Sequence, residues 1–262
     1  MRLPDGVTSA PRPMAMIGER PLLWHVMRYY AHFGHTEFII CLGHGAGHVK
    51  DFFLNYDETR SNDFVLENGT REIRLFKKDI SDWRVTCIDT GQNSLIGQRL
   101  RRVRQFVEDD PMFLANYADV LTNAPLPDMI ERFEASSAVI GLLAVPPQSS
   151  HHVVDIDDNG FITQVTAMQK LRQWGNGGYF IMRPEIFDHL HEGDDLVEDA
   201  VARLVPQQRV LAYRYTGYWS PADTVKERAQ LEEMYGRGTC PWMVWDDERS
   251  GRMQRAWATA AG

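Results

Sequence analysis

Two carboxylates far apart in the chain, Asp119 and Asp223, are the residues best placed to hold a hard cation. Asp119 closes an apolar stretch, Met112 to Asn116, through Tyr117 and Ala118. In an open α/β sheet the carboxyl end of a strand is where ligands bind. Asp223 follows the turn-like run Gly217-Tyr218-Trp219-Ser220-Pro221-Ala222. Two such carboxylates can share one Mg²⁺, which takes oxygen ligands and is commonly held by one or two carboxylates together with substrate phosphates. Spacing alone puts a structural role first: each aspartate would cap a helix, Asp223 the one expected over Thr224 to Tyr235. Arg2, Arg12, Arg99, Arg101 and Arg102 carry the planar fork that matches phosphate oxygens. Isolated arginines are ordinarily solvated; Arg12 stands apart because Pro11 and Pro13 stiffen the backbone on both sides.

Other motifs carry less. Gly43-His44-Gly45-Ala46-Gly47-His48 imitates a dinucleotide loop, but its spacing is GxGxG and not GxGxxG. His44 and His48 lie four apart in a glycine-rich loop with no third metal ligand in view. Asn176-Gly177-Gly178 marks either a close approach of backbone to a ligand or a turn into the following strand. No GxSxG is present and no cysteine lies in an electropositive loop, which sets aside serine and cysteine nucleophiles.

These residues must be carried by a frame, and the chain supplies one. Its 262 residues, 44% hydrophobic and 24% charged, suit one large α/β domain. The net charge of −8 argues against general nucleic-acid binding. No apolar run spans a bilayer and no leader is recognisable, so no membrane association and a cytoplasmic location are expected. Cys41, Cys87 and Cys240 form no CxxC pair, and Cys41 and Cys87 are expected as buried thiols. Helical periodicity covers Pro21 to Phe33, with strands at Glu37 to Leu42, Val85 to Asp89, Met112 to Asn116, Ala138 to Val145, Tyr179 to Met182 and Val210 to Tyr215. Further helices are expected over Val49 to Asn55, Gly97 to Glu108, Asp128 to Ala135, Pro184 to His191 and Leu196 to Leu204. Residues 57–84 read as a β-rich excursion, and Asp158-Asn159-Gly160 as a hairpin turn. Strands alternating with helices predict βαβ units around a mixed, mostly parallel sheet.

Several segments together resemble the sugar-phosphate nucleotidyltransferase family, and within it the cytidylyl branch. They are Pro11-Arg12-Pro13-Met14; Gly18-Glu19-Arg20-Pro21-Leu22-Leu23; Phe38 to Cys41; Asp89-Thr90-Gly91 with Gly97-Gln98-Arg99-Leu100-Arg101-Arg102; Asn176-Gly177-Gly178-Tyr179-Phe180; Gly217 to Thr224; and Pro241-Trp242-Met243-Val244-Trp245. The resemblance implies a Rossmann-like fold in a single domain over residues 1–245, with a disordered tail at 246–262. It implies transfer of a nucleotidyl group, CMP from CTP, to a sugar 1-phosphate, glucose 1-phosphate, with release of pyrophosphate. It also implies Mg²⁺ held by Asp119 and Asp223, catalytic cations at Arg2 and Arg12, and nucleotide contacts at Ser94, Arg99 and Ala118. Sugar-phosphate contacts fall at Asn176, Gly177 and Lys170, with Met168 the competing position for the family's lysine. A homo-oligomer is implied as well.

The chain departs from the family pattern at identifiable places. The family opens with a strand and the loop Gly-Gly-x-Gly-Thr-Arg-Leu; here only Met1-Arg2-Leu3 stands there, so the chain is expected to be N-terminally truncated relative to the family. Arg12 stands where the family has lysine, Ala118-Asp119-Val120 where it has Gly-Asp-Gly, and the Glu-Lys-Pro element is not recognisable. The alternative expectation is a catalytically impaired relative that binds ligand or serves as an oligomer partner.

Overall fold

The computed structural model describes residues 10–67, 72–76, 78–147, 152–168, 171 and 173–246. Arg2, Lys170 and the tail from residue 247 lie outside the described residues. A one-turn 3₁₀ segment, Arg12–Met14, leads into a short ribbon of β1 (Met16–Ile17) and β2 (Arg20–Pro21), then α1 (Leu22–His32). Pro21, extended at the N-cap with its φ preset, starts α1 at the place the periodicity predicts. There follow β3 (Glu37–Leu42), α2 (Ala46–Leu54), the hairpin β4 (Phe64–Glu67) and β5 (Glu72–Leu75), β6 (Arg84–Asp89) and α3 (Ile96–Val103). The second half comprises β7 (Phe113–Asn116), β8 (Val120–Thr122), α4 (Leu126–Glu134), β9 (Ile140–Val145), the hairpin β10 (His152–Ile156) and β11 (Ile162–Ala167), and β12 (Gly175–Met182). A π-turn, Leu196–Val201, runs into α5 (Ala202–Leu204); then come β13 (Val210–Arg214), β14 (Trp219–Pro221) and α6 (Val225–Gly236).

The central strands are ordered β13-β9-β12-β7. β13 is parallel to β9, while β12 runs antiparallel to both β9 and β7. Beside them β3 and β6 form a parallel pair in the register Glu37↔Arg84 to Leu42↔Asp89. β12 is apolar on both faces, because both are covered. Tyr179 and Ile181 join one core with α1, α4 and α6, whereas Phe180 and Met182 join another with Leu100, Ile186, Phe187 and Leu204. A third cluster packs Leu23 and Met27 of α1 on Leu42 and Val49. No helix among the described residues is long and apolar enough to cross a membrane.

Several boundaries move for local reasons. α2 begins at Ala46 because Gly45, at φ 70°, turns the chain in the left-handed region. α3 tightens into a 3₁₀ turn at Arg104–Phe106, and the helix expected from Pro184 is only a 3₁₀ turn ending at Asp188. β12 starts at Gly175, so Asn176-Gly177-Gly178 is an irregularity inside a strand. β14, not expected from the sequence, pairs with β8. Cys41 and Cys87 are half-buried, and Cys240 is the buried thiol. Cys41 lines a cavity, and among the described residues β3 pairs only with β6.

Candidate active site

Asp119 is set in place by a sharp backbone turn. Beyond β7 the chain passes through Ala118 at φ 65°, a conformation that costs a residue bearing a Cβ. The turn is held by the Ala118 N–H, which donates to Asn116 Oδ1 at 2.6 Å. Asp223 reaches the same spot through the β8–β14 register, which sets Pro221 opposite Val120, and through the Ala222 N–H, which donates to the Asp119 carbonyl at 3.0 Å. The cap of α6 is not Asp223. Thr224 fills it, accepting from the Glu227 N–H while Glu227 accepts from the Thr224 N–H. The capping role that spacing favoured for Asp223 thus belongs to its neighbour, and the carboxylate is left for other work.

Arg12 completes the constellation. Its Nη1 lies 2.8 Å from Asp223 Oδ1 and 4.0 Å from Asp119 Oδ2. The Asp119 carboxyl is pushed up to about 6, first by burial and then by the Asp223 charge, with Arg12 pulling the other way. A half-buried carboxylate held beside a second one favours a cation between them. Among the described residues no group of three or more His, Cys, Asp or Glu could hold a metal. Two oxygen donors alone suit Mg²⁺, which keeps waters and substrate phosphates in its remaining positions, and do not suit a closed zinc site.

Asp119 and Asp223 line a cavity of about 1410 Å³, which Pro11, Arg99, Ala118 and Asn176 also line; Arg12 touches the two carboxylates without being among its lining residues. Arg99 is anchored: Nη1 donates to Thr90 Oγ1 at 2.7 Å and to the Leu42 carbonyl at 3.1 Å. Gly43 is needed above it, since a Cβ there would fall 2.6 Å from Arg99 Nη2. The Arg99 side chain is thus fixed at the carboxyl end of β3 with its face to the cavity. Ser94 is not among the cavity-lining residues; its hydroxyl donates to the Thr90 carbonyl at 2.5 Å, and Gln92 lines the wall on this side.

On the opposite wall, Asn176 Nδ2 donates to the Tyr117 hydroxyl at 2.9 Å, and its Oδ1 accepts from the Gly178 N–H. Gly177 does not line the cavity. A Cβ there would stand 2.9 Å from the Leu143 carbonyl, and its own carbonyl accepts from Trp219 Nε1 at 2.8 Å. The glycine pair therefore serves close packing of β12 against β9 and Tyr117, while Asn176 lines the cavity. His44 Nδ1 meets Gln92 Nε2 at 3.3 Å, an ordinary polar contact at the rim. Tyr117 and Trp219 escaped selection from the sequence. Their signal was adjacency, Tyr117 to the Ala118-Asp119 turn and Trp219 to the run that ends in Asp223.

No family model matches the chain. A glucose-1-phosphate cytidylyltransferase of Salmonella typhi is 30% identical over 250 residues, covering 94% of this chain and 95% of that protein. A probable glucose-1-phosphate cytidylyltransferase of Bacillus subtilis is 30% identical over 248 residues, covering 93% and 95%. Among solved structures, UTP-bound UGPase of Acinetobacter baumannii superposes with a TM-score of 0.63 at 16% identity, covering 87% of this chain and 86% of that one. HddC of Yersinia pseudotuberculosis complexed with GMP-PN gives 0.60 at 17% identity, covering 89% and 94%. Both structures share the Rossmann-like nucleotidyltransferase fold seen here.

Proposed function

The chain belongs to the glucose-1-phosphate cytidylyltransferase family, and from that premise we propose that it transfers CMP from CTP to glucose 1-phosphate, releasing pyrophosphate. It is a nucleotidyltransferase enzyme. The observation that carries the finer reading is that Asp119 and Asp223, both in contact with Arg12, line one cavity with Arg99 and Asn176. The reading takes residues 1–245 as one catalytic domain, places the enzyme in the cytoplasm as a homo-oligomer, and has its product feed polysaccharide assembly.

The reaction joins two anions: an oxygen of the sugar phosphate attacks the α-phosphorus in line as pyrophosphate leaves. Repulsion and charge build-up dominate the barrier, so positioning and cations supply most of the help. Asp119 and Asp223 are the residues that would hold Mg²⁺, which when bound neutralises phosphate charge and orients the α-phosphate. Arg12, held against both carboxylates in the free enzyme, is in reach of the same phosphates and stabilises the charge spreading over the oxygens in transit. Arg99, anchored on the end of β3, orients the nucleotide from one wall. Asn176, buttressed by Tyr117, orients the sugar phosphate from the other. Arg2 and Lys170 keep the roles the resemblance implies, as a second cation at the triphosphate and a cation at the sugar phosphate; Ala118 approaches the nucleotide through its backbone.

The test is pyrophosphate release from CTP, UTP, dTTP and GTP, each with glucose 1-phosphate and Mg²⁺. CTP is expected to be turned over fastest, with Asp119→Ala abolishing release. A chain that releases no pyrophosphate from any of the four would overturn the reading, and preference for another nucleotide would overturn the base assignment alone.

A further inference from the structure

Arg12 and the two carboxylates it touches differ in how free they are to move. Asp119 and Asp223 are tied through the main chain: the Ala222 N–H donates to the Asp119 carbonyl at 3.0 Å, and Pro221 lies opposite Val120 in the β8–β14 register. The backbone of Arg12 is held as firmly. The Met14 N–H donates to the Pro11 carbonyl at 2.8 Å, and the Ala15 N–H to the Arg12 carbonyl at 3.0 Å. Pro11 in turn packs on Gly45, where a Cβ would stand 2.7 Å from Pro11 Cδ. The part able to move is the Arg12 side chain, which is 53% exposed and bonded to a carboxylate that is 54% exposed. An ion pair this open to water holds weakly and exchanges partners readily.

Arg12 Nη1 donates to Asp223 Oδ1 at 2.8 Å and stands 4.0 Å from Asp119 Oδ2. These are the two carboxylates that the proposed reaction gives to the metal. Mg²⁺ sits about 2.1 Å from a carboxylate oxygen, so an ion held by Asp223 would lie within about 7 Å of the guanidinium nitrogen. A double and a single positive charge at that separation repel enough, even in a water-like dielectric, to weaken metal binding about tenfold. Turning the Arg12 side chain away from Asp223 relieves the repulsion without any movement of the backbone.

We infer that Arg12 is an internal counter-ion that competes with the divalent cation for Asp119 and Asp223, an inference that rests on the reading of this pair as the metal holders. A bare cation binds only by breaking the Arg12–Asp223 contact. A cation that arrives on a phosphate anion is not opposed in this way, because the anion offers the guanidinium a new partner that suits its planar fork. Metal and phosphate are thereby coupled through one side chain, each favouring the other. The contact sets the free site against stray metal and opens it to a metal–phosphate complex.

The experiment follows Mn²⁺ binding to the full chain by electron paramagnetic resonance, with no nucleotide or sugar phosphate present, for wild type, Arg12→Gln and Arg12→Lys. Arg12→Gln is expected to bind bare Mn²⁺ about tenfold more tightly than wild type, and Arg12→Lys, which keeps the charge, to stay near wild type. A second titration supplies Mn²⁺ premixed with pyrophosphate. There the order reverses, and Arg12→Gln should bind the complex about tenfold more weakly. A third measurement needs no binding-site variant: in wild type labelled with ¹⁵N-arginine, the Arg12 guanidinium signal, assigned by its loss in Arg12→Lys, should shift as Mg²⁺ alone is added. Equal affinities of wild type and Arg12→Gln for bare Mn²⁺ would overturn the inference. So would an Arg12→Gln protein that binds no Mn²⁺, effects of the same sign in both titrations, or an Arg12 signal unmoved at saturating Mg²⁺. None of these readouts uses turnover, so their failure leaves the proposed reaction to be judged by pyrophosphate release.

Discussion

At the scale of single residues the site turns on how three charges share one place. Arg12 offsets the repulsion between Asp119 and Asp223, and in the proposed reaction it would face the phosphates. Removing it takes away a positioned cation, a loss that typically lowers kcat by about 10²–10³. Arg12→Ala is therefore expected to lower kcat for pyrophosphate release by about that factor, while Arg12→Lys, which keeps the charge but not the fork, should cost only about tenfold. Equal losses in the two variants would show that the guanidinium geometry, and not the charge, is the working feature. These residues differed in how far the sequence revealed them. Asp119 and Asp223 could be singled out as strand-end carboxylates, yet spacing favoured capping, and only the Thr224–Glu227 box shows who caps α6. Arg12 was legible from its prolines. Gly177, expected at the sugar phosphate, packs against the Leu143 carbonyl, and a glycine beside a ligand and one beside a neighbouring strand look alike in sequence.

The elements carry these residues through close approaches that leave little slack. α3 bears Arg99, and it seats against the loop before the π-turn at Gly97. A Cβ at Gly97 would lie 2.6 Å from the Asp194 carbonyl oxygen and 2.9 Å from Leu190 Cδ2. Asp194 cannot readily give way, because Arg203 grips its carboxylate with Nη1 at 2.5 Å and Nη2 at 3.1 Å, holding that carboxyl at about 2. Alanine would improve the intrinsic propensity of α3 by about 1 kcal/mol. Overpacking against fixed backbone costs about 1–3 kcal/mol. Gly97→Ala is expected to be destabilising on balance and to tilt α3, raising the KM for nucleotide more than that for the sugar phosphate. A calorimetric Tm and the two KM values check both halves. The periodicity predicts α1, β3 and α6 nearly to the residue, since each is set by local pattern and caps. It misses β14 and the start of β12, because three residues around a proline and an Asn-Gly-Gly run form strands only when β8 and β9 are there to pair with them.

Across the whole molecule, the catalytic end and the structural end titrate in opposite senses. His25 is buried beneath the closing Pro241-Trp242 segment. Its Nε2 lies 3.0 Å from the Ile17 carbonyl, and its Nδ1 lies 3.3 Å from Trp242 Nε1, an assignment that makes Nε2–H a donor and Nδ1 an acceptor. Burial lowers its pKa from 6.5 to about 4. The unfolded chain therefore takes up a proton here as pH falls below 6.5 while the native protein does not, so this group's stabilisation, about 3 kcal/mol, is lost between pH 6.5 and 4. Asp119 works against it. Its carboxyl is raised from 3.8 to about 6, so the native protein takes up a proton before the unfolded chain does and gains about 3 kcal/mol as pH falls from 6 to 4. These two contributions nearly cancel, while His35, which burial also holds below 6.5, adds to the loss of stability in acid. Asp119→Asn removes one side of the balance. It should melt higher than wild type at pH 7.5, where it no longer carries a half-buried ionised carboxylate, and lose that advantage by pH 4. At about 2–4 °C per kcal/mol for a chain near this size, its Tm should fall by about 6–12 °C over the window. The measurement is a thermal melt of both proteins in chelator from pH 4 to 7.5. Parallel curves would sever the link between the Asp119 carboxylate and the acid tolerance of the fold. Converging curves would show that the half-buried Asp119 charge costs stability at neutral pH.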